Sequence, residues 1–257
     1  MQRMAAILMI SIALAGCVTS APKDAHVPDF AKKPYAPFSR DAVVAIALRE
    51  WRLFGQMVHD EPPGAARAMG PKREREPGLW QRVGEYWWLG LDAGHAEAGW
   101  TGKHGGFGAE FLPEMDREYA WSAAFISYVV RIAGAGARFA YASSHWTYID
   151  RAVREPDGLF AAARPTDAVP RPGDLICAGR ARDGVLRFDD LPAGPYLSHC
   201  DIVVAVAPGQ LSVVGGNVGD AVTMKHVPVT PEGRLATPAG QVIDTRYPWM
   251  VVLRARD

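Results

Sequence analysis

The chain has 257 residues, 49% of them hydrophobic and 22% charged, and its 28 basic and 28 acidic side chains cancel to a formal net charge of zero. This length suffices to bury one full core, and the balanced charge offers no electrostatic footprint for a nucleic-acid backbone, so nucleic-acid binding is set aside. Its 3 cysteines, with no CxxC pair among them, exclude a disulfide-framework miniprotein and a thiolate zinc site.

Residues 1–16 have the layout of a secretion signal. Arg3 lies in a short leading segment, Ala5 to Ala13 form an apolar run too short to span a membrane, and Leu14-Ala15-Gly16-Cys17 follows. That tetrapeptide resembles the bacterial lipobox. The resemblance implies cleavage before Cys17, acylation of Cys17 and anchorage to a membrane surface without a spanning helix. Val18 after the cysteine, by resemblance to enterobacterial sorting, implies the periplasmic face of the outer membrane rather than the inner one. No later segment has the ~20 apolar residues that a spanning helix needs. Residues 17–38 are rich in Pro, Ala and Lys and lack a period, so they read as a flexible tether, and a single domain is expected over residues 39–257.

Within that domain Val44, Ala47, Leu48 and Trp51 recur at helical spacing behind Ser39, which is placed to cap a helix running to Gly55. Residues 56–78 hold several Pro and Gly and the charged run Lys72 to Glu76, and read as a solvated surface loop. Leu79 to Leu91 is a second apolar helix, whose Trp80, Trp87 and Trp88 are expected in the core rather than on an interaction surface. Gly94 to Gly108 has no strand before it and no P-loop lysine spacing, so it is a loop and not a phosphate cradle. Phe125, Tyr128, Val129 and Ile132 share one face of a helix over Ser122 to Ala133, ended by Gly134, and a shorter helix follows from Ser144 to Val153. After Pro172 the period changes: Asp174 to Ala178, Cys200 to Ala207, Leu211 to Val214 and Trp249 to Leu253 read as strands. Helices first and strands afterwards, without crossover helices, predict an α+β fold with N-terminal helices packed on a C-terminal antiparallel sheet.

Four short segments carry the chemistry. Tyr119-Ala120-Trp121-Ser122-Ala123-Ala124-Phe125-Ile126 opens a buried helix, Pro172-Gly173-Asp174-Leu175-Ile176 opens a strand, Ser198-His199-Cys200-Asp201-Ile202-Val203-Val204 forms the next, and Val214-Gly215-Gly216-Asn217 closes the following one. In order, spacing and element type they resemble the papain-like NlpC and CHAP hydrolases, over roughly residues 119–220. The variant W-S-A-A-F-I-S also resembles an uncharacterised bacterial family of lipoproteins over most of residues 40–254.

Carried over position by position, the resemblance implies a nucleophile at Ser122, an imidazole at His199 and an orienting group at Asn217. The departure is serine where those hydrolases have cysteine. A hydroxyl is far harder to ionise than a thiol, so His199 has to act as a general base during attack. The partial positive end of the helix that Ser122 opens favours a developing oxyanion. Ser122 reads equally well as a plain N-cap, or as a lapsed nucleophile, with Trp121 and Ile126 at the positions of a hydrophobic staple. Strand alternation puts His199, Asp201 and Val203 on one face and Cys200 and Ile202 on the other, so Asp201 is a second candidate to hold the imidazole. Cys177 and Cys200 lie on consecutive antiparallel strands and are read either as a disulfide or as free buried thiols. His145 is a candidate substrate-side group, with a surface histidine near a helix cap as the plainer reading. Tyr119, Trp121 and His104 are candidates to line a cleft. No metal is expected, since neither HExxH nor a paired-histidine spacing occurs.

The resemblance implies an amide-bond hydrolase of the cell envelope acting on peptidoglycan or its peptides, without a cofactor. The alternatives are a catalytically inactive relative that binds wall peptides or an envelope protein, and an envelope lipoprotein using its Trp-rich helix as an interaction surface.

Overall fold

A computed structural model of the chain describes residues 37–62, 72–92, 94–112 and 118–256. The signal segment, Cys17 and nearly all of the expected tether lie outside the described residues. Phe38, expected at the tether's end, is instead buried with its ring against Phe160 at a centroid distance of 6.2 Å.

Among the described residues four helices and six strands form an α+β fold. Helix α1 (Arg40–Leu53) starts where the Ser39 hydroxyl accepts the Ala42 N–H, and buries Val43, Ile46, Ala47 and Glu50. Helix α2 (Leu79–Gly90) buries Val83, Tyr86 and Trp87. Its neighbour Trp88 is exposed, because consecutive residues on a helix point about 100° apart, and Trp80, in the first turn, is half-buried. The core expectation for the three tryptophans therefore holds for Trp87 alone. Helix α3 (Ser122–Ile132) is buried on every side through Val130. It lies so close to α2 that a Cβ on Gly90 would stand 2.5 Å from the Ala124 carbonyl oxygen, which only glycine permits. Helix α4 (His145–Arg154) follows Ser144 at its N-cap.

The sheet comprises β1 (Phe160–Ala163), β2 (Leu175–Gly179), β3 (Ser198–Ala207), β4 (Gln210–Gly215), β5 (Thr223–Pro228) and β6 (Trp249–Ala255). Their order is β1-β6-β2-β3-β4-β5, and every pairing is antiparallel. Alternation divides the core. Leu175, Cys177, Cys200, Ile202 and Val204 join the helices in one apolar cluster, whereas Ile176, Ala178, Val203, Val213, Val227 and Trp249 form a second one on the opposite face. Cys177 and Cys200 face each other across the β2–β3 ladder and are joined by a disulfide.

Two strands escape the sequence reading. β1 is Phe-Ala-Ala-Ala, without the β-branched residues that mark a strand. β5 alternates buried and half-buried positions as a strand should, but Lys225 occupies one of its buried positions and masks the pattern. The charged run Lys72 to Glu76 is not simply a solvated face either: it contains a short 3₁₀ turn that buries Glu74, whose carboxylate accepts the Trp121 indole N–H at 2.6 Å. Aromatic rings fill the space behind this contact, with Trp121 6.0 Å from Phe54 and 5.6 Å from Tyr86 between ring centroids.

Glu50 ties three helices together. Its buried carboxylate accepts hydrogen bonds from Arg82 at 2.6 and 2.7 Å, from the Tyr86 hydroxyl at 2.8 Å and from Arg49 at 2.9 Å. The Tyr128 hydroxyl of α3 accepts from Arg49 in the same cluster. Burial by itself raises the carboxyl pKa, but the Arg82 guanidinium, with Tyr86 and Arg49, overcomes it and holds Glu50 below its ordinary 4.5. A depressed carboxyl stabilises the fold fully above about pH 4.5 and loses that contribution as pH falls through its folded value. Glu50→Ala is accordingly expected to lower the unfolding free energy by about 3–5 kcal/mol at pH 7, read from the urea midpoint, and to flatten the loss of stability below pH ~4.5. The disulfide closes a segment of sequence separation 23. Replacing Cys177 and Cys200 together by Ala is expected to lower stability by about 3 kcal/mol in the same assay.

Candidate active site

Ser122 is the first residue of α3, with Trp121 at the N-cap, and no side-chain capping bond is made there. The capping role read from the sequence is therefore corrected. The Ser122 hydroxyl points to an imidazole, and its Oγ lies 2.7 Å from His145 Nε2. His145 opens α4, so its ring sits beside that of Tyr148 one turn on, and its Nδ1 is hydrogen-bonded to the Tyr148 hydroxyl. Both His145 and Tyr148 are buried, which corrects the reading of His145 as a surface histidine near a cap.

A second group comes from the sheet. His199 and Asp201 stand two residues apart on β3 and share a face, and His199 Nε2 donates to Asp201 Oδ1 at 3.1 Å. The other carboxylate oxygen is paired with the Lys225 ammonium of β5 at 2.5 Å. Lys225 is only 1% exposed and lies 4.5 Å from the Tyr247 ring centroid and 5.7 Å from that of Trp249, where ring faces attract a cation. Gly215 of β4 leaves the space this pair occupies, since a Cβ there would stand 1.9 Å from Asp201 Oδ1 and 3.1 Å from His199 Nε2. The two groups meet with the rings of His145 and His199 5.2 Å apart.

The expected residues are thus partly reassigned. Among the described residues no hydrogen bond joins Ser122 to His199, and the serine's imidazole partner is His145. Asn217 lies in the turn after β4 with φ +55, a left-handed conformation that Asn tolerates, and it makes no hydrogen bond to His199 among the described residues. The orienting position beside His199 is held by Asp201. Trp121 is fully buried and bonded to Glu74, so it supports the N-terminus of α3 from the core in place of the substrate-facing position expected for it. Tyr119 stacks on Phe111 with ring centroids 3.4 Å apart and meets Trp100 at 4.9 Å, while His104 meets Trp80 at 4.8 Å. Cys200 faces away from His199, into the disulfide.

Tyr148, Lys225 and Gly215 were missed. A His-x-x-Tyr spacing at the start of a helix is the only sequence signal for Tyr148. For Lys225 it was a lysine in phase with the inward residues of an alternating strand.

Electrostatically the cluster holds neutral imidazoles next to a fixed anion. Burial pushes His145 well below the ordinary histidine value, and His199 adds to the shift. Burial also lowers His199, against the opposing pull of Asp201. For Asp201 burial favours the neutral acid, but Lys225 and His199 outweigh it and hold the carboxyl far below the usual carboxylate range. Burial keeps Tyr148 well above the ordinary phenol value, with Asp201 adding to the effect. The first intrahelical bond of α3 runs from the Phe125 N–H to the Trp121 carbonyl, so the Ser122, Ala123 and Ala124 N–H groups have no partner within the helix. A hydroxyl, two uncharged imidazoles, a carboxylate and a helix N-terminus form a set suited to nucleophilic acyl transfer. No group of three metal-ligating side chains is assembled among the described residues, and no helix there is long and apolar enough to cross a membrane.

No curated protein and no solved structure matches the chain. A family model described as "Uncharacterized protein conserved in bacteria (DUF2272)" matches residues 74–255. That span takes in α2 to α4, the whole sheet up to Ala255 and every residue from Ser122 to Lys225 that builds the cluster, and the chain belongs to this bacterial family.

Proposed function

We propose that the protein is a cell-envelope hydrolase of amide bonds, of the papain-like NlpC/CHAP kind, acting on peptidoglycan peptides with Ser122 as nucleophile and His145, in place of the His199 expected from the sequence, as general base. The observation that carries this reading is the meeting of a hydroxyl at the head of a buried helix with two neutral imidazoles, one of them backed by the Asp201–Lys225 ion pair. In the reaction, Ser122 Oγ attacks the amide carbonyl carbon while its proton passes to His145 Nε2, 2.7 Å away, and the nearby Asp201 charge favours the resulting imidazolium. The α3 amides stabilise the oxyanion. His145 then protonates the leaving amine as the C–N bond breaks, and water attacks the acyl-enzyme by the same route. The signal-like leader and the Cys17 tetrapeptide support an address at the periplasmic face of the outer membrane, held by acyl chains on Cys17, with the wall within reach of the tether. No cofactor enters the proposed steps.

A second reading, a non-catalytic binder of wall peptides or of an envelope protein, is favoured by one observation: Ser122 and His199 are only 4% and 8% exposed. Digestion of purified wall fragments separates the two. The wild type is expected to release muropeptides and Ser122→Ala to release none, while equal rates for the two proteins reject the serine mechanism. An inactive wild type whose Ser122→Cys variant gains cleavage identifies a lapsed enzyme. Because burial lowers His145, cleavage by the wild type should persist below pH 6.5 and fall only as pH drops through the depressed histidine value. Asp201 favours the imidazolium, so Asp201→Asn is expected to move that acid limb to still lower pH and to reduce kcat by about 10²-fold or more.

A further inference from the structure

Arg180 directly follows β2 and keeps an extended backbone, with φ −124 and ψ 151. Its N–H continues the β2–β3 ladder by donating to the Leu197 carbonyl at 2.9 Å. Ala178 is paired with His199, so alternation puts Arg180 on the His199 face of the sheet as a diagonal neighbour, about 7–8 Å away between Cβ atoms. The backbone around it is closely held. The Arg180 carbonyl accepts the Asp183 N–H at 3.0 Å, and Asp183 Oδ2 accepts the Leu197 N–H at 2.8 Å. A Cβ on Gly179 would stand 2.0 Å from the Asp183 carbonyl oxygen, and Ala181 is forced to φ +51, a left-handed conformation that strains any residue with a side chain. The Arg180 side chain, by contrast, is exposed and makes no hydrogen bond or ion pair among the described residues. Asp183, the nearest acid along the chain, is engaged by the Leu197 N–H and by Arg182. The cation nonetheless acts on the site: burial is the main cause of the low His145 and His199 values, and the Arg180 charge adds to both.

We propose that Arg180 is a substrate-binding residue whose guanidinium takes a free carboxylate of the peptide, so that the protein acts on acidic peptides. A guanidinium fork matches a carboxylate in two parallel hydrogen bonds, and one without an internal partner has no ion pair to break on binding. The same geometry says where the carboxylate belongs. From His145, which touches Ser122, the way to Arg180 is one ring spacing of 5.2 Å and one diagonal of the ladder, and the long arginine stem covers part of it. An extended peptide advances about 3.3 Å per residue, so the carboxylate lies within about two residues of the scissile amide. Its place relative to the cleaved bond rests on the hydrolase reading, with Ser122 as the reacting centre. The carboxylate site itself does not.

Calorimetric titration of soluble wall peptides into the full-length Ser122→Ala protein tests it without turnover. One sample of the peptides is left intact, and a second has its carboxylates converted to primary amides with carbodiimide and ammonia. The intact peptides are expected to bind at least tenfold more tightly than the amidated ones. Adding Arg180→Gln should bring both samples to the weaker affinity, and Arg180→Lys, which keeps the charge but not the fork, should restore part of the preference. Because the Arg180 side chain has no partner among the described residues, Arg180→Gln is expected to keep the urea midpoint of its parent. Equal binding of the two samples, binding of neither, a preference that survives Arg180→Gln, or a loss in Arg180→Gln that is the same for both overturns the proposal. Cleavage separates it from the hydrolase reading. A wild type that digests intact and amidated peptides at equal rates retains the hydrolase and removes the Arg180 site, whereas carboxylate-dependent binding without any cleavage does the reverse.

Discussion

The buried carboxylate of Asp201 is the constraint around which the rest of the site is arranged. A lone carboxylate in an apolar interior is so costly that it would take up a proton instead of remaining charged. Here the charge is kept because two strands bring partners to it. β5 contributes the Lys225 ammonium, and β3 itself contributes the His199 N–H. The rings of Tyr247 and Trp249 stand where water would otherwise solvate the lysine. Removing Lys225 would leave the buried carboxylate uncompensated, and removing His199 would leave Oδ1 without that hydrogen bond. It also specifies register. Shifting β3 by one residue would carry His199 and Asp201 to the face of the disulfide and bring apolar side chains against Lys225.

The helical half meets this anion through close backbone approach. A Cβ on Gly216 would stand 2.6 Å from the Phe125 Cβ, so the first turn of α3 packs directly on the end of β4. On its other side the same turn is held by the Glu74–Trp121 bond, and deeper in the bundle the Glu50 cluster joins α1, α2 and α3. Ser122 is thus clamped between the sheet end and an aromatic wall. The N-terminus of α4 then adds His145 between it and His199. Rigid elements, not loops, carry every group of the cluster, which suits a site whose side chains must keep a fixed geometry.

The two imidazoles look alike by composition and differ by connection. One is hydrogen-bonded to a phenol, which can both give and accept a hydrogen, the other to a carboxylate, which when ionised only accepts one.

Much of this was legible in the chain itself. Periodicity located the four helices and four of the six strands, the change of period marked α+β, and alternation on β3 put His199 with Asp201 and apart from Cys200. These are local properties, determined by bond geometry within a few residues. The partner of Ser122, the buried lysine behind Asp201, the inward turn of Glu74 and the glycines that admit them were decided only by the tertiary structure. Each depends on which side chains from distant segments reach one desolvated place. A histidine at a helix start or a lysine on a strand carries no local mark of the charge or hydrogen it will meet there.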